Sequence, residues 1–166
     1  MPTIAGMFGG MASIVRPEGQ STIDATNRQL LGELQADARL SNAELGRRVG
    51  LSSPAVAERI RRLEHEGVIR GYRAEVDPRA VGLSLSVLVR VRPAPRQLAV
   101  VAELARQSEE VVECHRVTGD DCFVMTAHVR DVEHMEQLID RFAASGQTTT
   151  SIMQSAPVPR RGIQLT

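Results

Sequence analysis

Arginine side chains are concentrated in one short part of the chain, residues 47–73. Seven arginines stand there against three glutamates, although the whole chain has 20 basic and 20 acidic residues and no net charge at pH 7. The densest part follows the run "SSPA", in which a serine is a good helix cap and a proline fits the first helical turn. A helix that buries one side and carries arginine on the other offers a cationic surface to nucleic-acid phosphates. The alternative is a solvated helix face on which Arg and Glu serve solubility alone.

Three helices are predicted to position this surface. Asp24 is a favourable N-cap for the first, Ser41 with Glu44 has capping-box spacing for the second, and Ser52 or Ser53 caps the third. Apolar residues recur at helical spacing within each segment. The residues expected to point inward are Leu30, Leu31, Leu34 and Ala38, then Leu45 and Val49, then Val56, Ile60 and Leu63.

Two glycines favour a helix-turn-helix. Gly50 follows the second helix, where positive φ is common, and Gly67 follows the third. Gly46 lies one turn before Gly50, so the second and third helices can cross closely, as this motif requires.

The third helix offers two kinds of DNA contact. Recognition helices read bases with their N-terminal half, while later arginines hold phosphates. The predicted base readers are Ser52, Ser53, Pro54, Ala55 and Glu58. The predicted phosphate contacts are Arg59, Arg61 and Arg62, with Arg70 and Arg73 from the segment that follows.

Beyond residue 82 the pattern changes to alternating strands and helices. "LSLSVLVRVR" alternates apolar and polar residues and predicts a half-buried strand, and residues 96–107 predict a helix. "VVECHRV" and "CFVMTAHV" predict strands joined by the hairpin signal "TGDD", followed by a helix at 131–143 and the strand "TTTSIMQ". The order β-α-β-β-α-β predicts a ferredoxin-like sandwich, so the whole chain is expected to be α+β.

The chain is expected to hold an arm and two domains. Residues 1–21 contain glycine and proline without an apolar period, which predicts a flexible arm. The helix-turn-helix domain is assigned to residues 22–76, a linker to 77–82 and the second domain to 83–166.

No apolar run approaches the roughly 20 residues that span a bilayer, and the N terminus lacks a secretion signal. A cytoplasmic protein without a membrane partner is expected.

Metal and catalytic chemistry are not favoured. Cys114, His115, Cys122 and His128 match no familiar zinc spacing, and strand neighbours such as Cys114 and His115 point to opposite faces. No nucleophile, base and orienting group are grouped along the sequence. We therefore expect no metal, no cofactor and no enzymatic activity.

The sequence resembles the Lrp/AsnC, or feast/famine, transcriptional regulators of bacteria and archaea. The resemblance covers residues 23–166 and rests on "IDATNRQLLGELQADARLSNAELGRRVGLSSPAVAERIRRLEHEGVIRGYRAEVDPRAVGL", "VVECHRVTGDDCFVM" and "TTTSIMQ". It implies a winged helix-turn-helix that binds double-stranded DNA, joined to an amino-acid-sensing βαββαβ (RAM) domain. It also implies homodimers built by that second domain, often assembled into octamers.

The loop "TGDD" has two open interpretations. It is a tight turn and nothing more, or, as the resemblance implies, it lies between dimers and helps to bind a free amino acid. Backbone N–H groups at a glycine suit a carboxylate, and acidic side chains suit an ammonium. The effector residues on this interpretation are Thr118, Gly119, Asp120, Asp121 and Cys122, with Thr148, Thr149 and Thr150 of the last strand.

The loop also departs from the family. Many members have Gly, acid, aromatic, acid, whereas this chain has Gly119, Asp120, Asp121 and Cys122. The ammonium partner would then be Asp120 or Asp121, and the identity of the ligand is open.

The expected function is sequence-specific transcriptional regulation in which DNA binding or assembly responds to a small amino acid. Residues 83–166 would form the effector-binding and oligomerisation domain. The alternative is an architectural protein that wraps or bends DNA and senses no effector. A change in melting temperature on adding amino acids would distinguish the two.

Overall fold

A computed structural model of the chain describes residues 23–165, and the predicted arm at 1–21 lies outside them. The described chain forms two units. The first holds the residues up to Tyr72 together with those from Arg161 onward, and the second is Arg73–Arg160. Residues 161–165, which the sequence-based division places in the second domain, thus group with the first unit. None of the helices within residues 23–165 is long and apolar enough to cross a membrane.

The first unit is built on three helices, α1 Ala25–Ala36, α2 Asn42–Val49 and α3 Ser53–His65. A side chain caps each N terminus, as predicted. Asp24 accepts a hydrogen bond from a backbone N–H of α1, Ser41 from one of α2 and Ser52 from one of α3. These caps satisfy N–H groups that a first helical turn leaves without a partner.

The core of the first unit is aliphatic. One residue that was predicted to point into it, Ala38, does not. The buried residues are Leu30, Leu31, Leu45, Val56 and Leu63. Ala38 is exposed because α1 ends two residues earlier, at Ala36. Asp37 takes an extended conformation, and its carboxylate accepts a hydrogen bond from the Arg39 N–H. This local bond from side chain to backbone competes with a further helical turn.

The segment after α3 forms no strand within the described chain. The resemblance implies a winged design, but residues 70–77 pair with no strand there. Tyr72 instead donates a hydrogen bond from its hydroxyl to Glu64 Oε1 at 3.0 Å. This contact holds the start of the segment against the end of α3.

The second unit is a four-stranded antiparallel sheet with two helices. After a 3-10 turn at Pro78–Val81, its elements are β1 Leu85–Pro93, α4 Leu98–Gln107, β2 Val111–Arg116, β3 Phe123–Val129, α5 Val132–Ala143 and β4 Gly146–Ile152. The strands lie in the order β2-β3-β1-β4, and each neighbouring pair is antiparallel. This arrangement is a ferredoxin-like sandwich and confirms the predicted α+β class.

Both helices cover the same face of this sheet. The core residues are Val87, Val89 and Val91 of β1, Phe123, Met125, Ala127 and Val129 of β3, Val101 and Ala105 of α4, and Leu138 and Phe142 of α5. Because strand side chains alternate between faces, the intervening residues Ser86, Leu88 and Arg90 point to the face that neither helix covers.

Several element boundaries differ from those expected by one or two residues, and two of them have a clear local cause. Helix α4 begins at Leu98 rather than at residue 96, because Arg96 has a φ of 69°, outside the helical range. Strand β4 covers Gly146–Ile152 rather than 148–154, since Gly146 already pairs with Pro93 at the end of β1.

Glu110 joins the start of β2 to α5 through a charged cluster. Arg141 Nη2 donates to Glu110 Oε1 at 2.5 Å, and His134 Nε2 lies 2.9 Å from the same oxygen. His134 Nδ1 accepts from the Arg130 N–H, so Nε2 carries the proton. Burial raises the pKa of Glu110, but hydrogen bonds from Arg141, from the backbone and from His134 outweigh this and lower it to about 2.

This shift predicts a loss of stability in acid. A carboxylate with a depressed folded-state pKa stabilises the fold above its unfolded pKa, here 4.5, and loses that contribution as the pH falls towards 2. We expect Glu110→Gln to remove this acid dependence and to cost about 2 kcal/mol at pH 7, because Arg141 and His134 lose their charged partner.

Urea unfolding at several pH values measures both effects. Glu109→Gln is the matched control, since Glu109 is the exposed neighbour and should leave the acid dependence unchanged. An acid loss in Glu110→Gln as steep as in the parent protein would contradict the assignment.

Candidate nucleic-acid interface and effector loop

The turn between α2 and α3 determines how α3 is presented. Gly50 has a φ of 71°, in the left-handed region that glycine adopts without steric cost, and its N–H donates to the Gly46 carbonyl. The same carbonyl accepts from the Leu51 N–H at 2.9 Å. A Cβ atom on Gly46 would collide with the Leu51 carbonyl oxygen. The two helices approach this closely only because residue 46 has no side chain, which confirms the predicted helix-turn-helix.

Helix α3 is anchored on one side and exposed on the other. Val56 and Leu63 are buried and Ile60 is half-buried. Of the predicted base readers, Ser52, Ser53, Pro54 and Glu58 are exposed and Ala55 is half-buried. The first turn of α3 contains no acidic residue. The partial positive charge of its N terminus is therefore not neutralised locally, which favours an anion such as a phosphate.

The predicted phosphate-contacting arginines fall into two groups. Arg62, Arg70 and Arg73 are exposed, and none forms an ion pair within the described chain. Arg61 pairs with Glu58 at 2.6 Å, but both side chains are largely exposed, so water screens the pair and a phosphate can replace Glu58. These arginines remain available to DNA.

Arg59 is held inside the first unit instead. Its Nη1 donates to Asp24 Oδ2 at 2.7 Å and to Asn27 Oδ1 at 2.9 Å, and its side chain is only 25% exposed. The hydrogen bond from Arg59, with that from the Asn27 N–H, lowers the pKa of Asp24. Asp24 thus caps α1 and also ties α1 to α3.

Sequence reasoning missed this tie, although a signal was present. Asn27 lies three residues before Leu30, on the inward face of α1, and is 2% exposed. A polar residue on an apolar stripe needs a buried partner, and Arg59 supplies it.

In the second unit, residues 117–122 form the loop between β2 and β3. The Val117 N–H donates to the Cys122 carbonyl at 2.8 Å and closes the loop. Gly119 has a φ of 103° and Cys122 a φ of 56°. The loop therefore contains two left-handed residues, with Asp120 and Asp121 between them and Thr118 just before the first.

Two arginines of β1 pair with the acidic side chains of this loop. Arg92 Nη2 lies 2.9 Å from Asp120 Oδ2, and its Nε donates to the Asp120 carbonyl at 3.1 Å. Arg90 Nη1 lies 3.6 Å from Asp121 Oδ2. The four charged residues, called here the Arg–Asp quartet (Arg90, Arg92, Asp120 and Asp121), thus form two ion pairs whose side chains are partly or largely exposed.

Sequence reasoning also missed the arginines of this quartet. In "VLVRVR" the two arginines alternate with buried valines, so both point away from the helices. The register of β1 against β3 pairs Arg90 with Val124, the second residue after the loop. This register brings the two arginines to Asp120 and Asp121. The residue spacing within β1 does not reveal which residues of β3 lie opposite.

The three threonines predicted for the effector do not lie together. Thr148 pairs with Val91 and Thr150 with Val89, on the face covered by the helices, whereas Thr149 pairs with Arg90 on the other face. Thr150 Oγ1 is buried without a hydrogen-bond partner among the described residues. Of the three, Thr149 alone shares the face of the Arg–Asp quartet.

The cysteines and histidines are likewise separated. Cys114 pairs with Met125 on the helix-covered face, and His115 pairs with Val124 on the other. In residues 23–165, no three His, Cys, Asp or Glu side chains are grouped so as to hold a metal ion.

Comparison with known proteins agrees with both units. The AsnC-type helix-turn-helix domain matches residues 23–64, and the Lrp/AsnC ligand binding domain matches residues 86–163. The leucine-responsive regulatory protein of Escherichia coli K12 is 39% identical over 120 residues, which cover 70% of this chain and 73% of that protein.

Solved structures with the same fold include two bacterial regulators. LrpC of Bacillus subtilis superimposes with a TM-score of 0.80 at 29% identity, covering 84% of this chain and 100% of LrpC. The feast or famine regulatory protein of Mycobacterium tuberculosis, solved with L-methionine, gives a TM-score of 0.77 at 34% identity, covering 86% of this chain and 99% of that one. The chain therefore belongs to the Lrp/AsnC family of DNA-binding transcription regulators, which carry an amino-acid ligand-binding domain and are not enzymes.

Proposed function

We propose that this chain is a sequence-specific regulator whose α3 helix reads DNA and whose DNA binding or assembly responds to a free amino acid bound at the loop 118–122. The Arg–Asp quartet carries the proposal. A free α-amino acid has one carboxylate and one ammonium. The quartet offers two guanidinium groups and two carboxylates, joined in ion pairs of 3.6 Å and 2.9 Å. We place this activity in the cytoplasm.

At the DNA, the two halves of α3 have different roles. Ser53, Pro54 and Glu58 on its exposed N-terminal half face the base edges, with Ala55 beside them. Ser52 caps the helix, and its hydroxyl is already an acceptor for the Ala55 N–H. Arg61, Arg62, Arg70 and Arg73 contact phosphates. Arg59 positions α3 through Asp24 and Asn27, a role different from the phosphate contact predicted for it.

This division gives a testable difference between arginines. Arg62→Ala should weaken binding about equally on all DNA sequences and reduce the slope of log affinity against log salt by about one, because one phosphate contact is lost. Arg59→Ala should instead lower the melting temperature of the first unit. Ser53→Ala or Glu58→Ala should change which sequences are preferred.

Arg106→Ala is the control for net charge. Arg106 lies on α4 of the second unit and pairs with Glu103, so its loss removes one positive charge that is not among the proposed DNA contacts. Fluorescence anisotropy at several salt concentrations measures the slope. An Arg62→Ala protein with the parent slope would show that Arg62 does not touch phosphate.

At the loop, an amino acid can exchange into the existing ion pairs. The carboxylate of the amino acid would replace Asp120 as the partner of Arg92. The ammonium of the amino acid would then bind the Asp120 side chain that this exchange releases. The Arg92 and Asp120 side chains are 51% and 88% exposed, and exposed ion pairs contribute only about 0–1 kcal/mol. Breaking them therefore costs little. Backbone N–H groups beside Gly119 add donors for the same carboxylate.

Assembly would strengthen this exchange. We propose that the open face of the sheet, which includes Leu88, forms the homodimer and that dimers meet at the loop 118–122 to form octamers. A neighbouring subunit over the loop excludes water, which strengthens interactions between charges. Two recognition helices held by one dimer would then meet major grooves about one helical turn, or a multiple of it, apart.

A thermal-shift screen of the twenty amino acids tests the proposal directly. One or a few should raise the melting temperature, since a ligand stabilises only the state that binds it. If none did, the architectural DNA-binding alternative would be favoured.

A further inference from the structure

Residues 161–165, called here the tail, belong to the first unit and pack on α1. Gln35, on the exposed side of α1, makes two hydrogen bonds with one residue of this tail. The Ile163 N–H donates to Gln35 Oε1 at 2.8 Å, and Gln35 Nε2 donates to the Ile163 carbonyl at 3.1 Å. A side-chain amide that satisfies both backbone groups of one residue fixes that residue as a neighbouring strand would.

The tail also contributes to the core of the first unit. Leu165 is half-buried and packs with the cluster that contains Leu30 and Leu31, whereas the Ile163 side chain is 75% exposed. The tail therefore has an inward side chain and an outward one, two residues apart. The backbone of Gly162 lies against Gln35, since a Cβ there would be 2.7 Å from Gln35 Oε1.

We propose that residues 161–165 are a structural element of the DNA-binding unit, docked on α1 by Gln35 and Leu165. The chain then passes between the two units twice, once between Tyr72 and Arg73 and once between Arg160 and Arg161. Helix α1 also carries Asp24 and Asn27, which hold Arg59 of α3. The chain that leaves the ligand-binding unit at Arg160 is thus docked, by noncovalent contacts, on the helix that supports α3.

Hydrogen–deuterium exchange of the full-length protein, read by mass spectrometry, tests this docking. The tail contains no helix or strand, so without docking its amides should exchange at the rate of an unfolded peptide. We expect the peptide covering residues 161–166 to exchange on the order of tenfold more slowly than that. Gln35→Ala and Leu165→Ala should each remove most of this protection.

Two matched variants control for general effects. Gln29→Ala removes another exposed glutamine of α1, which bonds to Arg48 and not to the tail. Ile163→Ala shortens the outward side chain of the tail and keeps its backbone bonds. Both should retain the protection. Peptides from β1 and β3 should exchange as in the parent in all four variants, which separates undocking of the tail from unfolding of the protein.

Removal of residues 161–166 gives a second readout. The shortened protein should show a lower melting temperature for the DNA-binding unit, by about 3 °C, because Leu165 no longer covers the core. A tail peptide that exchanges without protection in the parent, or protection that survives both Gln35→Ala and Leu165→Ala, would overturn the proposal.

Discussion

Replacing Gly46 by alanine should destabilise the DNA-binding unit by about 3 kcal/mol, near the upper end of the cost of overpacking. The new Cβ would collide with the Leu51 carbonyl oxygen. This oxygen belongs to the backbone of the turn, which cannot shift without breaking the hydrogen bond from the Leu51 N–H to the Gly46 carbonyl. Alanine is the better helix former by up to about 1 kcal/mol, but the collision outweighs this. Loss of the turn would also displace α3, so DNA binding should be lost with the fold.

Gly32→Ala is the matched control. Gly32 lies within α1, and a Cβ there would meet no atom within 4 Å. This variant should be as stable as the parent or slightly more so, because only helix propensity changes. Chemical denaturation followed by circular dichroism measures both variants. A Gly46→Ala protein as stable as Gly32→Ala would show that α2 and α3 do not cross as described.

Gly119→Ala should abolish the thermal response to amino acids. At a hundredfold excess over its Kd, a ligand stabilises a protein by about 2.7 kcal/mol, which corresponds to about 5–10 °C for a chain of this size. Gly119 has a φ of 103°, where a side chain is strained. Alanine would therefore reshape the loop and displace its N–H groups and Asp120. Arg92→Ala should weaken the response by removing the cation that receives the carboxylate.

Gly82→Ala separates loss of the site from general backbone strain. Gly82 has a φ of 85° and lies after the 3-10 turn, away from the loop in sequence. The Gly82→Ala protein should lose stability through backbone strain, as Gly119→Ala does, but it should keep the thermal response to amino acids. Sedimentation should show that ligand shifts the balance between dimers and octamers in the parent and not in Gly119→Ala. A Gly119→Ala protein that responds as the parent does would mean that the effector site lies elsewhere.

Local patterns in the sequence were sufficient for most of the fold. The caps at Asp24, Ser41 and Ser52, the left-handed Gly50 and the apolar periods all depend on neighbours within a few residues, so their physics can be read along the chain. The alternation in β1 and the hairpin between β2 and β3 are local in the same sense. The order of elements then restricts the topology to a ferredoxin-like sandwich.

The contacts that refine the candidate sites are not local. Arg59 reaches Asp24 across 35 residues, and Gln35 meets Ile163 across 128. The approach of Arg92 to Asp120 depends on the register of β1 against β3, two strands that are not joined by a turn, so no local signal in the sequence sets it. The cluster of arginines therefore indicates α3 as the candidate DNA-binding helix, but it does not show that Arg59 supports that helix from within the unit. The division of the threonines between two faces likewise required the pairing of β4 with β1.

The most direct test of the central claim is DNA affinity measured with and without each amino acid. Duplexes selected by the protein from a random library provide the DNA, and fluorescence anisotropy provides the Kd. We expect the selected duplexes to share a motif and at least one amino acid to change the Kd by about fivefold or more, the size of a typical allosteric coupling. Gly119→Ala should bind the same duplexes without that change. An unbiased selection, or a Kd that is the same in the presence of all twenty amino acids, would contradict an effector-responsive, sequence-specific regulator.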